Sequence, residues 1–181
     1  MIYYTADPHL GHKNIISHCN RPFADVEEMN EVIIGNWRGI IRPEDDVYIL
    51  GDLIYRSETP PKKLLEQLTG HLHLIRGNHD HFIKKEPECR EYFQSIDDLL
   101  SVDDEGRRVI LCHYPLAEWE GFYHGAYHLY GHIHNNDCEA QNIMAKLPRC
   151  YNVGMDCLNF VPMTLTQIIE FYKGIRENGA T

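Results

Sequence analysis

Five short motifs, in order along the chain, end in residue types that bind divalent metal ions through nitrogen and oxygen. They are Asp7-Pro8-His9, Gly51-Asp52, Gly77-Asn78-His79-Asp80, Cys112-His113 and Gly131-His132-Ile133-His134. Leaving His79 and Asp80 aside, the motifs supply two carboxylates, one amide oxygen and four imidazoles. This set is large enough for two metal ions that share one carboxylate. Two adjacent cations can polarise a phosphate group and ionise a water between them.

The spacing of these residues favours a shared site. Asp7 and His9 are two residues apart, as are His132 and His134, so each pair can point to one side of a strand end. Asp52 can bridge two cations, because a carboxylate offers two oxygens. Mixed nitrogen and oxygen ligands suit transition metals better than calcium. We therefore expect two divalent ions, with Mn as the first choice and Fe, Zn, Ni or Co as alternatives.

Each motif alone has a simpler explanation. The chain contains 12 histidines, and a single histidine is usually structural or solvated. A Gly-Asp pair such as Gly51-Asp52 is most often a turn. The joint pattern favours a metal site, because each of these residues follows directly after a predicted strand. The alternative that stays open is a metal-binding fold without catalysis.

The elements around the motifs indicate an α/β fold. Strands are predicted at residues 2–6, 47–50, 72–76, 96–102, 107–112, 127–130 and 150–153, and helices at 25–41, 60–68, 88–93 and 165–176. Asp25 with Glu28, and Thr164 with Gln167, have capping-box spacing at the start of two of the helices. Residues 96–112 are predicted to form a β-hairpin around the acidic turn at 103–106. The alternation of strands and helices predicts two sheets with helices outside.

Composition limits the class of protein. The 181 residues suit one domain, 1–181, with 43% apolar and 24% charged residues. A formal net charge of −10 disfavours binding to the backbone of long nucleic acids. Neither a membrane span nor a secretion signal is evident, so we expect a cytoplasmic protein without a membrane partner. The six cysteines have no C-x-x-C spacing and are expected to be reduced thiols.

The ordered pattern D-x-H, G-D, G-N-H-D, H, G-H-x-H resembles that of the calcineurin-like metallophosphoesterase family. The resemblance extends from Asp7 to His134. It implies a four-layer α-β-β-α sandwich, with two mixed β-sheets flanked by helices. It also implies that one metal is held by Asp7, His9, Asp52 and His134, and the other by Asp52, Asn78, His113 and His132.

The resemblance also implies roles beyond metal binding. His79 would face the phosphoryl group, together with Asn78, and assist departure of the leaving group. Asp80 would orient His79 through a hydrogen bond, so His79 and Asp80 are the predicted catalytic pair. Near the end of the chain, Met155 stands where the family often has serine. We assign no catalytic role to Asn152 or Asp156.

The predicted activity is hydrolysis of phosphate esters by a hydroxide between the two ions. The chain shows no cap domain, which favours an open site and a small or cyclic phosphodiester over a phosphomonoester or a nucleoside polyphosphate. Four residues are candidates for phosphate contact, namely His12, Lys13, Arg21 and Arg56. A scaffold that keeps the fold without catalysis is the alternative, and the presence of His79 argues against it. The oligomeric state is not predicted.

Overall fold

A computed structural model describes residues 1–178 and contains two four-stranded β-sheets flanked by helices. The strands of the first sheet are β1 (Ile2–Thr5), β2 (Asp46–Ile49), β3 (His71–Ile75) and β4 (Phe93–Asp97). Those of the second sheet are β5 (Leu99–Asp104), β6 (Arg107–Cys112), β7 (Tyr127–Tyr130) and β8 (Cys150–Asn152). In both sheets the spatial order of the strands follows the order in the chain.

The two sheets differ in strand direction. The four strands of the first sheet are all parallel, and Met163 adds one antiparallel bridge to Tyr4 at its edge. The second sheet is mixed, because β5 runs antiparallel to β6 while β6, β7 and β8 are parallel. The predicted α/β architecture of two sheets and outer helices is therefore confirmed. The prediction of mixed pairing holds for the second sheet, whereas the named strands of the first are parallel.

Alternating side chains place each sheet between two apolar layers. In β1, Tyr3 belongs to the core beneath the helices, and its neighbour Tyr4 belongs to the core between the sheets. In β6, Val109 faces the core between the sheets, and Ile110 faces a third core on the far side. Because successive side chains of a strand point to opposite faces, both sheets are buried on two sides. This rigid double sheet is the support for the loops at the strand ends.

The helices are α1 (Lys13–His18), α2 (Val26–Ile40), α3 (Pro61–Leu65), α4 (Phe82–Lys85), α5 (Glu139–Met144) and α6 (Leu165–Asn178). The two predicted capping boxes are confirmed. Asp25 accepts a hydrogen bond from the Glu28 amide at 2.8 Å, and the Thr164 amide donates to Gln167 Oε1 at 2.9 Å. Within residues 1–178, none of the helices has the length and apolar character to cross a bilayer.

Two local predictions were wrong. Residues 96–102 do not form one strand, since Ile96 lies in β4 of the first sheet and Leu99 begins β5 of the second. The predicted helix at 60–68 ends early as α3. The short helix predicted at 88–93 is present as a 3-10 helix, Pro87–Tyr92. Short helices such as α1, α4 and α5 have too few turns to produce a clear apolar period in the sequence.

A buried histidine in the second sheet fixes the loop that follows β6. The His128 ring is fully buried, and its Nδ1–H donates to the Ile110 carbonyl at 3.0 Å. Its Nε2 therefore accepts the hydrogen bond from the Leu116 amide at 3.1 Å. Burial lowers the pKa of His128 to about 4, although the bond to the Ile110 carbonyl acts in the opposite direction. The neutral ring thus connects the sheet to the chain after His113.

Acid is expected to weaken the fold through His128. Below pH 6.5 the unfolded chain binds a proton at this ring, whereas the folded protein does so only near pH 4. Stability therefore falls as the pH is lowered through this window. Between pH 7 and 5, the wild type should lose about 2 kcal/mol more unfolding free energy than His128→Gln. Urea denaturation at the two pH values measures this, with the exposed His124→Gln as control. Equal losses in all three proteins would contradict the assignment.

Candidate metal centre

The predicted ligands collect at the carboxyl ends of parallel strands from both sheets. Asp7 follows β1, Asp52 follows β2, Asn78 follows β3 and His113 follows β6, while His132 and His134 follow β7. Ligand sites in α/β sheets form at these ends. Main-chain hydrogen bonds tie the first two loops together, from the Asp7 amide to the Gly51 carbonyl at 3.0 Å and from His9 to Asp52 at 2.9 Å.

Most of the predicted ligands have a strained backbone. Five of the seven adopt a left-handed conformation, with φ between 51° and 72°, namely Asp7, His9, Asp52, His132 and His134. This region is uncommon for residues other than glycine and costs of order 1 kcal/mol or more per residue. Such strain persists only where the surroundings impose it, and it is concentrated at functional sites. The loops are therefore held in conformations that serve the side chains.

Two motif glycines are required by close approach of the chain. A Cβ atom at Gly131 would lie 2.5 Å from Asp7 Oδ2, and one at Gly77 would collide with Asp52 Oδ1. Neither glycine has a positive φ, in contrast to Gly51 with φ of 84°. A sharp turn is thus found at Gly51, whereas Gly77 and Gly131 leave room for carboxylates from neighbouring loops.

Asp52 lies at the centre of the site. Its Oδ2 is 3.6 Å from His9 Nε2, 3.7 Å from His113 Nε2 and 3.9 Å from His79 Nε2. Its Oδ1 accepts the amide hydrogen of His79 at 2.8 Å, which fixes the carboxylate plane. Asp52 is 1% exposed. A buried carboxylate surrounded by imidazole nitrogens at these distances has the donor set for a cation on either side.

Asp7 and His9 each carry a buried atom without a hydrogen-bond partner. Within residues 1–178, Asp7 Oδ1 and His9 Nε2 have none, although Asp7 Oδ2 accepts the His132 amide at 2.8 Å. Burial raises the pKa of Asp7 to about 8, since charge on this carboxyl lacks compensation from water. Ligand atoms of Asp7, His9 and His134 lie within 4.8 Å of one another. Such unsatisfied buried atoms fit a metal ion well.

His113 Nε2 and Asn78 Oδ1 face each other, and each presents a lone pair. The Leu50 carbonyl lies 2.8 Å from His113 Nδ1, so Nδ1 carries the hydrogen. Burial lowers the pKa of His113, which favours the neutral ring with an unprotonated Nε2. This Nε2 is 3.0 Å from Asn78 Oδ1. Two acceptors at this distance repel each other unless a cation contacts both. His113 also forms a second compact ligand group with Asp7 and Asp52.

His132 occupies the outer side of this group. Its half-buried ring lies 5.0 Å from the His113 ring and 4.8 Å from the Tyr114 ring, measured between centroids. Burial lowers the pKa of His132, and the charge of Asp52 opposes this shift. The structure therefore brings six of the seven predicted ligands into close contact and places His132 against His113.

A buried ion pair that the sequence analysis missed orients His134. Asp156 Oδ2 accepts a hydrogen bond from His134 Nδ1 at 2.7 Å, and Arg21 Nε and Nη2 bind the two Asp156 oxygens at 2.7 and 3.0 Å. Burial alone would lower the pKa of His134, but the hydrogen bonds to Asp156 and Cys19 and the negative charges of Asp7 and Asp156 together raise the pKa to about 10. Carboxylates that orient ligand histidines in this way tune metal affinity.

Arg21 was predicted as a candidate for phosphate contact, and this prediction was wrong. Its side chain is buried, at 4% exposure, and all its contacts are internal. Besides Asp156, it donates to the main-chain carbonyls of Asp7 and Pro8 at 2.8 and 2.9 Å. Arg21 therefore fixes the first motif loop and the Asp156 carboxylate, and its donors are already used.

The predicted hydrogen bond between Asp80 and His79 is also absent. The Asp80 carboxylate instead accepts three main-chain amides, from Gly77 at 2.8 Å and from Asp52 and Leu53 at 2.9 Å each. Oδ2 accepts two of these amides and Oδ1 accepts the third, and no hydrogen bond connects the carboxylate to the His79 ring. Burial raises the pKa of Asp80 to about 7, against the effect of these amide bonds. Asp80 thus joins two motif loops to each other.

His79 is the accessible histidine of the site, with a third of its side chain exposed. Its neighbour is Tyr55, whose ring centroid lies 4.0 Å from that of His79. Tyr55 follows the Gly51-Asp52 loop and also contacts the ring of His12. Tyr55 could not be predicted from the sequence, because an aromatic residue three positions after Asp52 carries no specific signal.

The remaining candidates for phosphate contact differ in accessibility. His12 is buried, and its Nδ1 lies 3.3 Å from Nδ1 of His9, so it supports a predicted ligand. Lys13 and Arg56 are exposed and line a common groove beside the site.

Met155 is fully buried in the core beneath the helices, where an apolar side chain is appropriate.

Comparison with known proteins supplies the family. A profile of the calcineurin-like phosphoesterase superfamily domain matches residues 17–159. Uncharacterized protein MJ1445 of Methanocaldococcus jannaschii is 34% identical over 174 residues, which cover 95% of this chain and 91% of that protein. Gene 66 protein of Mycobacterium phage L5 is 33% identical over 81 residues, which cover 43% of this chain and 39% of that protein.

Among solved structures, the protein of unknown function AQ665 from Aquifex aeolicus is similar throughout. The TM-score is 0.74 at 26% identity, and the match covers 94% of this chain and 98% of that one. The superfamily profile begins at residue 17, so Asp7 and His9 lie before it. The structure nevertheless places both beside Asp52 and His134. The chain belongs to the calcineurin-like phosphoesterase superfamily.

Proposed function

We propose that the protein hydrolyses phosphate esters, and small phosphodiesters in particular, at a centre of two divalent cations. The observation that carries this proposal is the buried Asp52 carboxylate, whose Oδ2 lies within 3.9 Å of three imidazole nitrogens, together with the unsatisfied buried atoms Asp7 Oδ1 and His9 Nε2. One cation would be held by Asp7, His9, Asp52 and His134. The other would be held by Asp52, Asn78, His113 and His132. Bound cations would polarise the phosphate and lower the pKa of water.

His79 would assist the leaving group. A third of its side chain is exposed, and its Nε2 approaches Asp52 Oδ2 to 3.9 Å. A histidine at the rim can therefore reach the substrate and donate a proton to the departing oxygen. Asn78 would hold a phosphoryl oxygen in addition to its metal contact. Tyr55, rather than Asp80, restricts the orientation of the His79 ring.

The substrate class follows from charge and accessibility. The protein carries a formal net charge of −10, which disfavours long nucleic acids. Two divalent cations would make the site itself electropositive, so that small phosphate esters are attracted to it. Phosphomonoesters and nucleoside polyphosphates are the competing substrates. A scaffold without catalysis is disfavoured, because His79 has no structural hydrogen bond through its ring among residues 1–178 that would explain its presence.

The first test is metal content and turnover. The purified protein, loaded in turn with Mn, Fe, Zn, Ni and Co, is assayed with bis(p-nitrophenyl) phosphate, p-nitrophenyl phosphate, a cyclic nucleotide and a nucleoside triphosphate. We expect two metal ions per chain and the highest kcat/KM with a diester in the presence of Mn. A protein that binds two ions and hydrolyses none of these compounds would contradict the proposal and favour the scaffold.

Replacement of His79 should separate catalysis from metal binding. We expect His79→Gln to keep two metal ions per chain and to lower kcat for a dinucleotide roughly 10²- to 10³-fold, because an alkoxide leaving group needs a proton donor. The loss with bis(p-nitrophenyl) phosphate should be smaller, because p-nitrophenolate departs without protonation. The exposed His18→Gln serves as control. Equal losses for both substrates would argue against proton donation by His79.

A further inference from the structure

A groove of about 350 Å³ begins at His79 and extends away from the predicted ligands. His79, Tyr55 and Arg56 line one part of it, and His81 and Lys85 line another. Its size lies at the lower end of the range of small-molecule sites. Because His79 belongs to both the metal centre and the groove, a phosphate beside Asp52 would have its substituent within reach of the groove.

The ring of Tyr55 and a left-handed backbone conformation orient Arg56 toward this groove. Its Cζ lies 5.1 Å from the centroid of the Tyr55 ring, a cation–π contact that restricts the side chain. Its backbone has φ of 47°, the left-handed conformation that characterises the ligand loops of this site. Within residues 1–178 the Arg56 guanidinium forms neither a hydrogen bond nor an ion pair with a protein group. All of its donors remain free for a ligand.

The charge of the groove is opposite to that of the whole protein. Arg56 and Lys85 supply two positive charges, and Glu86 is the acidic residue of the lining. Lys85, like Arg56, lacks an ion-pair partner in the part of the chain that the structure describes. On a chain with a formal net charge of −10, unpaired cationic side chains beside the site indicate that an anionic ligand binds there. A planar guanidinium and an ammonium together suit the oxygens of a phosphate.

We infer that this groove binds a second phosphate group of the substrate, with Arg56 as the main contact and Lys85 as the second. This inference rests on the proposed function and narrows its substrate class to phosphodiesters that carry an additional phosphate near the scissile one. Terminally phosphorylated dinucleotides have this chemistry. A plain diester would use the metal centre alone and leave Arg56 without a ligand.

Dinucleotides with and without the additional phosphate provide the test. We measure kcat/KM for thymidylyl-thymidine and for its 5′-phosphorylated and 3′-phosphorylated forms. The wild type should prefer one phosphorylated form over the plain dinucleotide about tenfold in kcat/KM, and Arg56→Gln should lose this preference. Arg90→Gln removes the same charge from an exposed position outside the groove and should keep the preference. The absence of any preference in the wild type, or its persistence in Arg56→Gln, would overturn the inference.

Binding provides a readout that is independent of turnover. Calorimetry on the metal-loaded protein compares orthophosphate with methylenediphosphonate, which has two phosphonates and no hydrolysable linkage. Arg56→Gln should weaken the binding of methylenediphosphonate at least fivefold and leave the binding of orthophosphate unchanged. If this holds in a protein that hydrolyses no ester, the groove stands and the proposed function fails. If diesters are hydrolysed but Arg56→Gln binds both ligands like the wild type, the function stands and the groove inference fails.

Discussion

Asp52→Asn is expected to lower the rate of phosphodiester hydrolysis about 10³-fold and to remove at least one of two bound metal ions. The physical reason is the central position of Asp52, whose Oδ2 faces three imidazole nitrogens within 3.9 Å. An amide cannot neutralise two cations or bind one with each oxygen. The lost stabilisation of several kcal/mol corresponds to this factor in rate. Metal content by atomic emission and kcat with bis(p-nitrophenyl) phosphate measure the two effects.

The stability of the metal-free variant separates this effect from unfolding. Removal of a buried, uncompensated charge should leave the unfolding free energy of Asp52→Asn equal to that of the wild type or raise it. The exposed Asp137→Asn changes the same functional group outside the site and should have no effect on metal content or rate. A variant at position 52 with two metal ions and the wild-type rate would refute the central role of this carboxylate.

Arg21→Met is expected to lower the unfolding free energy by roughly 3 to 5 kcal/mol. The variant leaves the buried Asp156 carboxylate without the guanidinium that now binds both of its oxygens. Removal of one partner of a buried ion pair has a cost of this order, because Asp156 then keeps only the His134 ring as a charged partner. It also removes the donors to the carbonyls of Asp7 and Pro8. Urea denaturation of the metal-free protein at pH 7 measures the loss.

A second substitution distinguishes charge from packing. Asp156→Asn in the Arg21→Met background removes the uncompensated charge, so the double variant should regain part of the lost stability. Metal affinity should fall about 10- to 100-fold in both proteins. In the double variant His134 loses its orienting carboxylate, and in the single variant that carboxylate loses the support of Arg21. A single variant within about 1 kcal/mol of the wild type would show that water or another group compensates Asp156.

The sequence was sufficient to predict where the strands before the motifs end and which side chains follow them. Two pairs at i and i+2, together with Gly-Asp and Gly-Asn-His-Asp after apolar runs, are local signals, and parallel strands bring their carboxyl ends together. The capping boxes at Asp25 and Thr164 are equally local and were confirmed. The family resemblance and the two-sheet α/β fold were confirmed as well. The division into two four-residue ligand sets stays a prediction.

Most of the wrong predictions concern contacts between distant segments or competition for one group. Arg21 and Asp156 are 135 residues apart, and no spacing rule connects them. The Asp80 carboxylate was predicted to orient its neighbour His79, but amides from another loop use both of its oxygens. The break between β4 and β5 falls at Asp98, and apolar residues stand on both sides of it. In each case the deciding partner lies elsewhere in the fold.

Anomalous scattering from crystals soaked in Mn²⁺ tests the central claim most directly. We predict two anomalous peaks, both in contact with Asp52, one bounded by Asp7, His9 and His134 and the other by Asn78, His113 and His132. A single peak, or peaks that do not contact Asp52, would contradict it.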